Sequence, residues 1–299
     1  MLRLFGAQST AVGKTVENFP PQWRAAAQWK SRGAETLVAL QAQSPSGLKK
    51  AAQALRQAFS ADLYGAGETT LPAAVVEALE RHDKLLICAD AAAGALLEAR
   101  LENLPGAEKV FDFGAVSYAN PKTGPLIEKR ARLPKDCTDP LRQALARAQA
   151  ARRVVGADLS AACAERENDC VLVLSCRKGC FLRTVPAGEN PALWLLDMIR
   201  RAASGLPQAA GTIWQKYGRA IPADALTAQR LPDKPEPDAP TAAPRKRHRV
   251  RNALIFLLIL ALAAFAAAWY YTGGDLTALP QRLQSLGADS LPHAGAKLI

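Results

Sequence analysis

The sequence predicts an α/β fold that is joined to one membrane-spanning helix near the carboxyl terminus. Apolar runs of strand length alternate with longer segments of helical period, as at residues 85–88 and 91–101. A Pro-rich segment separates this region from nineteen uncharged residues, 253–271. With 299 residues, 49% of them hydrophobic, the chain is long enough for one large or two small globular domains.

The first part of the chain predicts a small mixed unit. Residues 35–43 alternate between apolar and polar side chains, which is typical of a strand. Ser46 is a candidate N-cap for a helix that runs to about residue 59. The apolar run 85–88 then has the length of a buried strand, and the Ala- and Leu-rich segment 91–101 favours a helix.

The second part of the chain also alternates between helices and strands. Residues 140–155 predict a helix, and Asn190 with Pro191 predicts the start of another helix that ends near residue 203. Residues 206–230 are predicted to form a short helical extension on the globular body. Three strands are predicted, at residues 158–163, 170–176 and 180–185.

The uncharged segment 253–271 has the length and composition of a transmembrane helix. At about 1.5 Å per residue it nearly spans a hydrocarbon layer of about 30 Å. It ends in Trp269, Tyr270 and Tyr271, an aromatic group that suits a membrane interface. A buried core helix is the alternative, but no other segment of comparable apolarity surrounds it. Its position excludes a signal peptide.

The charges on the two sides of this segment predict its orientation. The linker 231–252 is first Pro-rich and then strongly basic, whereas only Arg282 and Lys297 are basic in the tail 272–299. Positive flanks stay in the cytoplasm. We therefore expect a single-pass protein of the inner (plasma) membrane, with its globular domains in the cytoplasm and its tail outside.

The basic composition of the chain does not require a nucleic-acid partner. The formal net charge is +11, but five basic residues lie in the cluster beside the membrane segment. Membrane topology and attraction to anionic lipid account for such a cluster. We expect the membrane, and no nucleic acid, among the partners. The five residues are Arg245, Lys246, Arg247, Arg249 and Arg251.

The cysteines do not predict a metal site. Cys163, Cys170, Cys176 and Cys180 fall within eighteen residues, but their spacings contain no C-x-x-C pair. Cys170 and Cys176 instead fit as small apolar strand residues. We expect no metal and no cofactor, and no disulfides in a cytoplasmic domain.

Residues 84–122 carry three motifs in a fixed order. An A-x-x-x-x-G-x-L-L-x-A-R-L pattern is followed by P-G-A and a Phe, and then by V-S-Y-x-N. This segment resembles the C-terminal domain of the CinA family, the nicotinamide-nucleotide amidohydrolases. The matching residues are Gly94, Leu96, Leu97, Ala99, Arg100, Leu101, Pro105, Gly106, Ala107, Phe111, Val116, Ser117, Tyr118 and Asn120.

The resemblance implies a degenerate active site. Ala91 stands where the family has its nucleophilic Ser, and an alanine methyl can neither attack a carboxamide nor transfer a proton. The family Lys would fall at Thr123, whereas the nearest candidate is Lys122. The family's Gly-rich loop after the next strand is replaced by AACAERENDC. We therefore assign no catalytic residue. The candidates for a degenerate pocket are Asp90, Ala91, Gly94, Ser117, Tyr118, Asn120 and Lys122.

The resemblance also predicts the order of the domains. Residues 1–70 resemble the small KH-like α+β domain of longer family members, and 71–205 would form a three-layer α/β domain. Longer members have a further domain before the KH-like one, and we expect its activity to be absent here. We also expect no RNA binding, because no G-x-x-G loop with basic flanks occurs; the nearest segment, 46–50, has a single Gly.

Three functional hypotheses follow from these observations. The first is an inactive CinA-like protein at the membrane that senses a ligand, such as a nucleotide, or binds a protein. The second is a working nicotinamide-nucleotide amidohydrolase that uses Asp90, Lys122 or Ser117 as a replacement group. The third is a membrane-tethered structural protein whose tail contacts envelope components. The resemblance also implies self-association of the α/β domain.

Overall fold

The computed structural model describes residues 1–218. All of them belong to one compact body, which is described below as two units, each built on its own sheet. Within this range no helix combines the length and apolarity that a membrane crossing needs. The predicted linker 231–252, membrane helix 253–271 and tail 272–299 lie outside the described residues, as does the part of the predicted extension beyond residue 218.

The first unit of the fold is a four-stranded antiparallel sheet with two helices. Its strands lie in the order β2-β3-β1-β4. The chain order β-α-β-β-α-β is that of the ferredoxin-like split βαβ motif. The bounds are β1 Leu2–Phe5, α1 Ser9–Glu17, β2 Ala25–Arg32, β3 Glu35–Ala42, α2 Pro45–Ala58 and β4 Leu63–Ala66, with a 3₁₀ turn at Pro21–Trp23.

Helix α2 begins earlier than the sequence predicts. Its N-cap is Ser44, whose Oγ accepts a hydrogen bond from the Gly47 nitrogen at 3.0 Å. Pro45 occupies the first helical position, where its fixed φ suits the helix and its missing N–H costs nothing. The prediction of Ser46 as the cap is therefore wrong by two residues.

The second unit is built on a six-stranded mixed sheet. The strand order is β10-β9-β8-β7-β5-β6, in which β5 is parallel to β6 and β7 and the remaining neighbours are antiparallel. The bounds are α3 Leu71–Arg81, β5 Leu86–Cys88, α4 Ala91–Leu101, α5 Ala107–Val110, β6 Phe111–Asp112, α6 Thr123–Ala131, α7 Pro140–Val155, β7 Leu159–Glu165, β8 Asp169–Ser175, β9 Gly179–Pro186, α8 Pro191–Ala203 and β10 Thr212–Lys216.

Helices cover both faces of this sheet. Alternate residues of β7 point to opposite sides, so that Ala161 joins the core under α3, α4 and α8, while Ala162 joins the core under α6 and α7. Helix α8 starts as predicted, with the Asn190 side chain accepting from the Ala192 nitrogen at 3.1 Å and Pro191 at the first position. The mixed α/β class expected from the sequence is confirmed.

The predicted helical extension is wrong where the structure describes it. Residues Thr212–Lys216 form β10, which pairs with β9 at the edge of the sheet. Gly205 and Gly211 have φ of 66° and 82°, and these left-handed residues bracket a segment that cannot continue α8. The Trp214 ring packs on Phe181 of β9, with centroids 4.6 Å apart. Tertiary packing thus overrides a weak local signal.

A buried ion-pair network joins the two units. The Arg201 guanidinium on α8 donates to the Phe5 carbonyl oxygen at 2.9 Å and to the Asp62 carboxylate at 2.8 Å, both in the first unit. Its Nε donates to Asp197 at 2.6 Å. The neighbouring Arg200 donates to the other oxygen of Asp197 and to the Ala61 carbonyl, each at 2.6 Å. The side chains of Asp197 and Arg201 are 1% and 2% exposed, so nearly every charge is satisfied by protein.

Replacing Asp197 tests whether this network holds the units together. We expect Asp197→Ala to lower the free energy of unfolding by about 3–5 kcal/mol, because it leaves two buried guanidinium groups without their shared carboxylate. The matched control is Glu77→Ala, which breaks an exposed ion pair with Arg81 and should cost under about 1 kcal/mol. Urea unfolding of both variants measures the difference. Equal losses in the two variants would contradict this role.

Candidate functional site

The candidate site lies at the start of α4, beside the carboxyl-terminal end of β7. Ala91 is the first residue of the helix and its methyl group is exposed. Asp90 is the N-cap, and its Oδ1 accepts from the Ala93 nitrogen at 2.8 Å. Its Oδ2 accepts from the Cys163 nitrogen on β7 at 3.3 Å. The Asp90 carboxylate therefore fastens α4 to the sheet.

Burial changes the acidity of this carboxyl group. Desolvation raises the pKa of Asp90 to about 6, although the two backbone hydrogen bonds oppose the shift. The group therefore loses its proton closer to neutral pH than an ordinary Asp does. Ionising the carboxyl group in this position therefore lowers the free energy of unfolding.

Gly94 and Tyr118 are brought into direct contact. The Tyr118 hydroxyl lies 2.5 Å from the position that a Cβ on Gly94 would occupy, so only Gly fits there. The same hydroxyl donates to Glu98 of α4 at 2.8 Å. Burial, and then this hydrogen bond, raises the pKa of Tyr118 to about 12. Glu98 was not predicted from the sequence. It lies four residues after Gly94, which places both residues on one face of α4.

Ser117 lies in the loop after β6, and its side chain is closed off from solvent. The residue is 0% exposed, and its hydroxyl has no hydrogen-bond partner among the described residues. Asp112, which was likewise not predicted from the sequence, precedes this loop. Its carboxylate accepts a hydrogen bond from the Val116 nitrogen at 3.0 Å. The second oxygen of Asp112 is buried without a partner in the described part of the chain. Both atoms are therefore closed off from solvent.

Asn120 organises the turn into α6. Its Oδ1 accepts from the Lys122 and Thr123 nitrogens at 2.9 and 3.0 Å, and its Nδ2 donates to the Ala115 carbonyl at 2.6 Å. Lys122 is exposed, and its amine forms no ion pair with a described carboxylate. The structure thus gives Asn120 a turn-forming role, and among the described residues no hydrogen bond or ion pair joins Lys122 to Asp90 or Ser117.

The segment that the resemblance aligns with the family's Gly-rich loop is a strand and a hairpin. Strand β7 continues to Glu165, two residues beyond the predicted end, and a short turn leads into β8. Arg166 closes this turn by donating to both oxygens of Asp169, at 2.5 and 3.0 Å. Backbone N–H groups that a Gly-rich loop would present to a phosphate are here paired between strands.

The pH dependence of stability tests the environment of Asp90. Because the pKa is raised from 3.8 to about 6, the folded state holds the proton more tightly than the unfolded state. The stabilisation of the fold that follows from this raised pKa is fully present below about pH 4. It is lost as pH rises through about 6, which lowers the free energy of unfolding by up to about 3 kcal/mol. Asp90→Ser keeps an N-cap oxygen but removes the titrating group.

The measurement is urea unfolding of the wild-type and Asp90→Ser proteins at pH 4, 5, 6 and 7. We expect the unfolding free energy of the wild type, relative to the variant, to fall across this range. Two profiles that stay parallel from pH 4 to 7 would show that Asp90 is not held in a desolvating environment.

Comparisons with known proteins match part of this chain to CinA-like proteins. The family model described as the CinA C-terminal domain matches residues 68–164. A CinA-like protein from Desulfovibrio desulfuricans is 31% identical over 192 residues, which cover 54% of this chain and 44% of that protein. A putative competence-damage inducible protein from Clostridium botulinum is 36% identical over 66 residues, covering 22% of this chain and 16% of that protein.

A third relative adds a similar match. A CinA-like protein from Dictyoglomus thermophilum is 33% identical over 73 residues, covering 24% of this chain and 18% of that protein. The chain thus spans less than half the length of these curated relatives. The matched segment contains α4, the loop after β6, and β7 up to Ala164, which together build the candidate site. Residues 68–164 thus match the CinA C-terminal domain, and this part of the chain is similar to CinA-like proteins.

Proposed function

We propose that this chain is a membrane-anchored CinA-like protein without amidohydrolase catalysis, whose cytoplasmic globular region is a ligand-sensing or protein-binding module. The observation that carries the proposal is Ala91, the exposed first residue of α4, at the position of the family nucleophile. Acyl transfer from a carboxamide by this route needs a nucleophile with a base in reach, and a methyl group supplies neither. Anchoring rests on the sequence of residues 253–271.

Asp90, Ser117 and Lys122 are the candidate replacement groups, and none of them is well placed to act in catalysis. Both oxygens of Asp90 accept backbone hydrogen bonds that hold α4 to β7, so that attack by either oxygen would break the cap. The Ser117 hydroxyl is completely buried. Lys122 is exposed, and its backbone nitrogen is used in the Asn120 turn. These contacts favour a structural role for the retained residues.

The surface beside Ala91 suits a protein partner better than a phosphate. Asp90 already places a carboxylate on the amino terminus of α4, where a phosphate would otherwise bind the free N–H groups. In the neighbouring loop, Val116 is 48% exposed. An exposed apolar side chain of this kind can contact a protein segment but offers nothing to a phosphate.

The active amidohydrolase remains the second candidate because of one observation. The pKa of about 6 that burial gives Asp90 is suited to a general base near neutral pH. In that case water, activated by Asp90, would attack the amide directly. The backbone hydrogen bonds of Asp90 and the burial of Ser117 weigh against it.

Restoring the nucleophile tests the proposal. We expect full-length Ala91→Ser to release no ammonia from nicotinamide mononucleotide above background, because the base and the Gly-rich loop are altered as well. Adding Thr123→Lys, which places an amine at the family position, should raise turnover above that of the single variant. An active CinA-type enzyme is the positive control. Strong turnover by Ala91→Ser alone would contradict the claim that several parts of the site are lost.

A further inference from the structure

A second feature of the α/β unit has no part in the candidate site. A cavity of about 750 Å³ lies between the carboxyl-terminal ends of α6 and α7. None of the residues that line it is acidic. Its volume is within the range of small-molecule sites in proteins. Four lining residues are cationic, namely Lys129, Arg130, Arg132 and Arg153.

This cavity and the candidate site lie at opposite ends of the sheet. Asn120 and Thr123 lie at the amino terminus of α6, whereas the cavity is lined by the last turn of that helix. The carboxyl end of α7 leads through Gly156 into the start of β7, and Cys163 near the other end of β7 contacts Asp90. A ligand in the cavity would therefore not occupy the degenerate pocket.

Helix dipoles do not account for this much positive charge. Basic residues at helix carboxyl termini are common because each terminus carries a partial charge of about −0.5. Two such termini offset about one of the four positive charges. About three positive charges remain at this solvent-exposed site, which has no lining carboxylate.

These cations also have no carboxylate partner in the described part of the chain. None of the four forms an ion pair with a described carboxylate. The acidic residue nearest in sequence, Glu128, is paired with Arg147 at 2.7 Å. Arg153 lies over the Tyr217 ring, 5.6 Å from its centroid, and a ring contact leaves the charge uncompensated.

Arg132 adds a backbone observation. It ends α6 with φ of 52°, in the left-handed region that Gly or Asn usually occupies at a helix end. An Arg in this conformation is strained. A Gly at the same position would relax the backbone but would remove one cation from the cavity.

We propose that the cavity between α6 and α7 binds a ligand of about the size of a nucleotide that carries multiply charged phosphate. Guanidinium groups match phosphate oxygens by paired hydrogen bonds, and lysine adds a point charge. The shared chemistry is the phosphate, which either a soluble polyphosphate or a phospholipid headgroup can supply. The proposal is independent of the proposed loss of amidohydrolase activity.

The test uses the full-length protein in a nonionic detergent and two probes, inorganic tripolyphosphate and dihexanoyl phosphatidic acid. Lys129→Gln/Arg130→Gln should weaken binding at least tenfold, because it removes two charge-assisted contacts. The matched control, Lys49→Gln/Lys50→Gln, removes two exposed charges from α2 and should change affinity less than twofold. Tighter binding of tripolyphosphate assigns a soluble ligand, and tighter binding of the lipid assigns a headgroup.

Arg132→Gly separates binding from folding. It should weaken binding about tenfold while the protein melts at the same or a higher temperature, because the left-handed strain is removed. Failure of the wild type to bind either probe would overturn the proposal. So would equal losses in the α2 control, since these would show that binding follows net charge and not the cavity.

Discussion

The buried guanidinium of Arg201 is the contact on which the arrangement of the described residues depends. It lies on α8 of the second unit and reaches a carbonyl of β1 and the carboxylate of Asp62 in the first unit. A buried charge that loses a partner is strongly destabilising, so this contact favours one docking arrangement of the two units. The edge-to-face contact of Phe5 with Trp194, with centroids 4.9 Å apart, adds apolar packing at the same junction.

Hydrogen bonds and close packing between side chains also hold the candidate site together. Asp90 joins α4 to β7, Tyr118 packs on Gly94 and binds Glu98, and Asn120 forms the turn into α6. Each of these residues is engaged in holding the frame. Ala91, which the resemblance aligns with the family nucleophile, has no functional group. A chain can therefore keep the motifs that resemble the family while its activity changes, because those motifs also maintain the fold.

Most of the elements that local signals predicted are present in the structure. Asn190 with Pro191 marks the start of α8, and the periodic segments 91–101 and 140–155 form α4 and α7. The errors occur where distant residues decide the structure. Strand β10 exists because β9 offers an edge and Phe181 a surface for Trp214. A short polar and aromatic segment does not reveal that environment.

The site could be located from sequence, but its internal contacts could not. The order of the motifs places Ala91, Gly94 and Tyr118 in one region, and the structure brings Gly94 and Tyr118 together. Glu98 and Asp112 carry no motif of their own, and their roles depend on loop geometry. The basic cavity was not predicted because Arg153 is distant in sequence from Lys129, Arg130 and Arg132, and these residues meet only when α6 packs on α7.

We propose that this CinA-like chain does not hydrolyse the carboxamide of a nicotinamide nucleotide. The most direct measurement is ammonia release from nicotinamide mononucleotide by the purified full-length wild-type protein, beside an active CinA-type enzyme. The account predicts no release above the rate of the protein-free solution. Sustained release that depends on the protein, and that disappears when Asp90 is replaced by Ser, would contradict it and would identify a working hydrolase with a different catalytic group.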